Sequence, residues 1–473
     1  MRLILTIVGI LSTISIQAQG LSFTMAHEEM LSNNLEIQAA RKAVEAAQFE
    51  LRATRGLRFP TIDFVASYTL MQRDIEIDLG GAKGALSNTA HDIINKGVSS
   101  GVLSPGIAEF IVGGLSPLLA ADWGYTLQKR SVLMGAATIT QPIYMGGRID
   151  AAITAAEIRV NQAEHQLQAI INSATTQLVE YYYGVALAER NIEVRRNVVN
   201  GIRQHLYDAE AMEEEGLIPH SEVLYVQFRL SEAERELSLA SSKLAIAREA
   251  LSRVLNRECS ENLTDRIFIV DAIYNIDYYK QNAININPIL LDVRGNIALS
   301  EQAIKVARAA LLPEVAALGG AVIASHNLSN MIPRWSAGIG LRFNIFNGLT
   351  NERRLQAANR ASEAIFTISE SATNNIVLLI ENEYYNTINS LKDIDMTKRS
   401  IEFARAYLES KSEGFKEGFT PSKELIDAEL ELQAAELKQL DAAYNFCKFL
   451  ARLLEAAGLS DSFESYQQKA IFL

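Results

Sequence analysis

From Val223 to Val254, apolar residues recur at three- and four-residue steps: Val223, Val226, Leu230, Ala233, Leu237, Ala240, Leu244, Ala247, Leu251 and Val254. A ~3.5-residue period held over about four heptads predicts a helix packed as in a left-handed coiled coil. A second seam follows the same rule with Leu425, Ala428, Leu432, Ala435, Ala442, Phe446, Phe449, Leu453 and Ala456, broken only at Gln439. Ahead of the first seam, Arg148 to Glu215 holds no proline and two glycines, Gly184 and Gly201. A helix over that run would be ~100 Å long. Run and seam are separated by Gly216-Leu217-Ile218-Pro219 in one place and Gly418-Phe419-Thr420-Pro421 in the other. Each pair therefore reads as a helical hairpin that turns at a Gly-x-x-Pro, with the proline suited to the first turn of the next helix.

Elsewhere the period changes to two. In Thr61–Leu70, Ile62, Phe64, Ala66, Tyr68 and Leu70 share one face; in Trp335–Phe346, Trp335, Ala337, Ile339, Leu341, Phe343 and Ile345 do. Leu133–Tyr144 and Glu314–Ala324 are weaker examples in equivalent places. Alternation over about ten residues is the size of a membrane-spanning β-strand. Four such strands leave two unpaired edges that lipid cannot satisfy, so the sheet must close with other chains. Two chains would give a narrow barrel of about eight strands and three a barrel of about twelve.

The chain is an internal duplication. Asn34, Arg41, Arg55 and Pro60 match Asn287, Arg294, Arg308 and Pro313 at an offset of 253. Gly146, Tyr182-Tyr183, Gly216 and Pro219 match Gly348, Tyr384-Tyr385, Gly418 and Pro421 at an offset of 202. The difference, 253 − 202 = 51 residues, is an insertion in the first copy, within 73–130, and its Gly- and Ser-rich composition reads as a loop at one end. The organisation expected is a signal peptide at 1–18, a first repeat at 19–256, a linker at 257–286, a second repeat at 287–458 and a tail at 459–473. The signal rests on Met1-Arg2, the apolar run Leu3–Ile16 and a cut after Ala18.

Charge and chemistry narrow the function by exclusion. With 44 basic against 56 acidic residues, a net charge of −12, the chain lacks the basic surface of a nucleic-acid binder. Cys259 and Cys447 are too few for a disulfide scaffold. The six histidines are scattered without zinc-helix spacing, and neither a catalytic constellation nor a cofactor site stands out.

The duplicated strand–Gly–helix blocks, the two Gly-x-x-Pro turns and the heptads beyond them resemble the TolC-like outer membrane efflux proteins, from Leu21 to about Gly458. The resemblance implies a mainly α fold with a β-barrel part: a homotrimer in which four strands per chain complete a 12-stranded barrel in the outer membrane of a Gram-negative bacterium, above a periplasmic tunnel of coiled-coil hairpins. It implies an exit duct of a tripartite efflux pump, with a periplasmic adaptor and an inner-membrane pump as partners. It places adaptor docking at Gly216, Leu217, Ile218, Gly418, Phe419 and Thr420. It also places an acidic constriction at Glu424 and Asp427, with Glu222 as the counterpart in the first copy, where Tyr225 replaces the second acid. Two alternatives stay open: the exit duct of a type I protein secretion system, and a structural envelope coiled coil without a conduit.

Overall fold

The computed structural model describes residues 20–472; the expected signal peptide lies outside the described residues. The helical part runs as α1 (Phe23–Asn33), α2 (Leu35–Arg55), α3 (Gly80–Ser99), α4 (Pro105–Ala120), α5 (Arg148–Glu214), α6 (His220–Leu255), α7 (Ile276–Ile286), α8 (Pro288–Ala309), α9 (Thr350–Lys416), α10 (Ser422–Ala457) and α11 (Phe463–Gln467). The strands are β1 (Thr61–Leu70), β2 (Ile75–Asp78), β3 (Gly124–Gln128), β4 (Ser131–Met145), β5 (Phe268–Ile269), β6 (Glu314–His326), β7 (Trp335–Arg342) and β8 (Ile471–Phe472). None of the described helices is long and apolar enough to cross a membrane. The chain divides into two compact units, one formed by Ala53–Ala152 and Lys305–Leu355, the other by the remaining described residues.

The first unit is an antiparallel sheet in the order β1-β4-β6-β7. Its register settles which residues share a face. Ile62 lies across from Ile139 and Tyr68 from Leu133; Ala321 lies across from Trp335, Ala317 from Ile339 and Val315 from Leu341. The period-two positions of the outer strands thus gather on one apolar face, where Ile62, Tyr68, Trp335 and Ile339 are each more than two-thirds exposed. Small residues make room for large ones on that face, as where the Phe64 ring lies over Gly135. Strand β7 stops at Arg342, short of the expected Phe346. Beyond it Phe343 and Ile345 are exposed. Left-handed glycines, Gly146 at φ 63° and Gly348 at φ 71°, stand between the sheet segments and the long helices, which explains their shared spacing.

The insertion is not the expected loop. Strands β2 and β3 pair as a ribbon, fastened by Met71 N–H donating to the Arg130 carbonyl at 2.7 Å, and carry the helix pair α3–α4. Helix signals outweigh the glycine content locally. Ser104 caps α4 by accepting from Ile107 N, with Pro105 at its first position, and ahead of α3 Asp78 Oδ1 closes a tight turn by accepting from Gly80 N at 2.6 Å.

The second unit holds the long helices. Both descending helices, α5 and α9, have 67 residues, and both ascending ones, α6 and α10, have 36. The ten seam residues of α6 are all buried or half-buried. Helix α10 buries a second stripe as well, Ala443, Cys447, Leu450, Leu454 and Ala457, because it also packs on α7 and β5. The repeated asparagines have a defined task. Asn34 Oδ1 accepts from Glu36 N at 2.9 Å while its amide donates to Val254 O at 3.3 Å. Asn287 does the same with Ile289 N at 2.9 Å and Ala456 O at 2.8 Å. One side chain caps one helix and ties it to the last turn of another.

An aromatic cluster lies at the heart of this unit. Phe268 is fully buried against Tyr183 (5.6 Å between ring centroids), Phe463 (5.7 Å) and Phe446 (6.4 Å). Cys447 is buried beside it, its thiol donating to the Phe268 carbonyl at 3.2 Å, and desolvation pushes that thiol up to about 12. Replacing Phe268 by Ala is expected to remove about 3–5 kcal/mol of unfolding free energy, measured by thermal or denaturant unfolding; a loss under ~1 kcal/mol would show that the cluster does not hold the unit together.

Candidate functional site

The two hairpin turns are built alike. At the end of α5, Gly216 adopts φ 71°, and the amides of Gly216 and Leu217 donate to the carbonyls of Glu213 and Met212, both at 2.8 Å. At the end of α9, Gly418 adopts φ 77°, and the amides of Gly418 and Phe419 donate to Phe415 at 3.0 Å and Gly414 at 2.8 Å. This double closure of a helix end needs a left-handed residue, so glycine stands at both tips. Pro219 and Pro421 follow in extended conformation, one position ahead of the first helical residue.

The turns leave apolar groups in the open. Leu217 is 71% exposed and Phe419 83%. Ile218 is half-buried against the core next to the turn, and Thr420 is half-buried with its side chain over Gly414. Of the six residues singled out at the tips, Leu217 and Phe419 therefore present apolar side chains to the surroundings. Behind the tips the two hairpins share a core, with Ile426 of α10 set among Val198, Ile202, Val223 and Val226 of the first hairpin.

The acidic residues are engaged within the chain. Glu424 and Asp427 stand three residues apart on the exposed face of α10. Glu424 Oε2 accepts from Lys411 Nζ of α9 at 2.6 Å. Asp427 Oδ1 lies 3.8 Å from Arg229 Nη2 of α6, an ion pair between hairpins. Arg229 is itself held by Tyr225, whose hydroxyl accepts from Nε at 2.9 Å, and by Glu232 at 2.9 Å. These neighbours raise the Arg229 pKa further, led by the Tyr225 hydrogen bond. Tyr225 thus occupies the place of a second acid and steers the arginine toward Asp427. Glu222 is half-buried, with one carboxylate oxygen shut off from solvent and without a hydrogen-bond partner.

Two desolvated groups in this region, buried His205 and half-buried Glu429, are not legible in the sequence. His205 of α5 is 5% exposed, edge-on to Phe415 at 4.3 Å, and neither ring nitrogen has a hydrogen-bond partner. Burial lowers its pKa, against the pull of Asp208 and Glu222. Glu429 of α10 places its carboxyl directly over Gly201 of α5, leaving no room there for a Cβ, and burial pushes it up to about 7. A polar residue alone on a long helix reads as solvated surface. The one signal was Gly201 itself, a glycine kept inside a helix where it costs about 1 kcal/mol. Among the described residues there is no group of three His, Cys, Asp or Glu side chains that could hold a metal ion.

Residues 26–257 and 280–459 match the sequence model of the outer membrane efflux protein family. Protein CyaE of Bordetella pertussis is 24% identical over 285 residues, a stretch that spans 54% of this chain and 58% of that protein, less than two thirds of its length. Two solved structures share the fold. CusC superposes with a TM-score of 0.72 at 14% identity, over 92% of this chain and 91% of that one. The CmeC outer membrane channel of Campylobacter jejuni gives 0.70 at 13% identity, over 94% and 89%.

The raised pKa of Glu429 has a testable consequence. The folded chain keeps a proton that the unfolded chain releases between pH 4.5 and about 7, so this stabilisation is complete below pH 4.5 and fades as pH rises through about 7. His205 works in the opposite sense below its ordinary 6.5, because only the unfolded chain takes up the proton readily. Glu429→Gln is therefore expected to stabilise the protein by about 1–3 kcal/mol at pH 8 and to change little near pH 4.5, read from unfolding midpoints at the two pH values. A pH-independent difference would contradict the assignment.

Proposed function

The chain belongs to the outer membrane efflux protein family, and from that premise we propose that it is the exit duct of a tripartite efflux pump. In this reading three copies close their four-stranded sheets into a 12-stranded outer-membrane barrel, and the hairpins form a periplasmic tunnel. The observation that carries it is the sheet: one face exposes Ile62, Phe64, Tyr68, Trp335 and Ile339, and its edge strands β1 and β7 have no outer partner among the described residues. Lipid would cover the face and neighbouring copies the edges.

The tips supply the contact with the rest of the pump. Leu217 and Phe419 are the apolar groups that a periplasmic adaptor would cover, with Gly216 and Gly418 fixing the turn and Ile218 and Thr420 bracing it from inside. Glu424 and Asp427, repeated three times about an axis, would ring the tunnel entrance with negative charge and favour cations there. Their bridges to Lys411 and Arg229 hold neighbouring helices together at the same level, and Glu222 adds charge from the first hairpin.

Two experiments test it. Leu217→Asp with Phe419→Asp is expected to abolish efflux and adaptor capture while leaving the assembled protein in the outer membrane at parental level; retained efflux would remove the tips from docking. Glu424→Ala with Asp427→Ala is expected to raise single-channel conductance in planar bilayers and weaken cation preference. Unchanged conductance and unchanged selectivity would remove the constriction.

A further inference from the structure

Helix α4 is apolar nearly all round: PGIAEFIVGGLSPLLA carries a single charge, Glu109. Its stripe Ala108, Ile111, Leu115 and Leu119 is buried or half-buried in the pair it forms with α3. The adjoining stripe is open, with Ile107 52%, Phe110 82% and Leu118 51% exposed. A helix apolar on all sides belongs in a core, so half of this one lacks its covering. Membrane-surface helices set a Lys- and Arg-rich face opposite the apolar one, and α4 has neither residue.

A second uncovered apolar feature lies at the same end of the sheet. The β6–β7 turn, residues 327–334, exposes Met331 at 70% and Ile332 at 42%. It sits beside the insertion's own ribbon, where Gln128 Nε2 donates to Asn327 O at 2.5 Å and Ser329 N donates to Gln128 Oε1 at 2.9 Å. Within one chain that contact is made at Gln128 of β3, while Ile107, Phe110 and Leu118 of α4 stay exposed. The insertion leaves the sheet from edge strand β1, whereas the turn leads into the opposite edge strand β7. In a ring of identical subunits, head-to-tail contact sets the β1 edge of one copy against the β7 edge of the next. That arrangement brings the insertion of one copy and the 327–334 turn of the next to adjoining edges.

We propose that the open stripe of α4 is covered by the 327–334 turn of the neighbouring copy, so that the insertion clasps adjacent subunits at the rim beyond the strands; this rests on the trimeric reading above. The test uses the full chain in outer membranes, with Phe110→Cys and Met331→Cys singly and together, treated with a short thiol cross-linker. Native Cys259 and Cys447 are buried. The double variant is expected to give covalent dimers and trimers on denaturing gels, and each single variant none. No linked species from a double variant that light scattering shows to be trimeric overturns the clasp and leaves the trimer standing; a monomeric protein overturns both. A ladder from Phe110→Cys alone would set α4 against α4 and overturn the assignment, as would quenching of a fluorophore on Cys-substituted position 110 by brominated lipid. As a second measurement, Phe110→Asp is expected to lower the heat resistance of the trimer with helix content unchanged. Unchanged heat resistance would also count against the clasp.

Discussion

A backbone amide or carbonyl that faces hydrocarbon without a partner costs several kcal/mol, and a strand edge presents a row of them. The four strands of the larger sheet pair in the order β1-β4-β6-β7, which among the described residues leaves the outer sides of β1 and β7 open. In the proposed barrel that single constraint decides the assembly, because no rearrangement within one chain can pair both edges. Face and edge then make complementary demands. The apolar face with Trp335 and Tyr68 asks for lipid, and the edges ask for further copies.

The hairpin unit meets a different demand, keeping four long helices in register while carrying polar groups between them. Asn34 and Asn287 fix the joints by capping one helix and bonding the end of another. Near the tips the packing is less forgiving. His205 and one oxygen of Glu222 are buried without partners, and Glu429 is desolvated over Gly201. Each orphaned group is a standing penalty of about 1–3 kcal/mol against this arrangement. The contact between the hairpins is thus held by the shared core around Ile426 and by the Asp427–Arg229 pair, at the expense of those groups.

Much of this architecture was legible in the sequence because its periods are long. The α6 seam, the alternation in β1 and the glycine of each turn are direct consequences of helix and strand geometry. What lay beyond reach depended on neighbours distant in the chain. The second buried stripe of α10, running through Cys447 and Leu454, exists because α7 and β5 pack on it, and a heptad shows only one partner. The helices of the insertion were obscured by glycines and serines, although Ser104-Pro105 is a helix start in plain view. The ion partners of Glu424 and Asp427, Lys411 and Arg229, are set by how helices lie side by side, which no spacing within one helix reveals. Glu429 has the sequence context of a surface acid, and only the packing of α10 on α5 sets it over Gly201.

In the proposed assembly one chain is an incomplete sheet and three complete it. The most direct measurement is the subunit number of the protein extracted from outer membranes, by native mass spectrometry or light scattering in detergent. A single species of three chains that resists dissociation until it is heated is expected. A stable monomer or dimer, with β1 and β7 left open or paired in some other way, would contradict it.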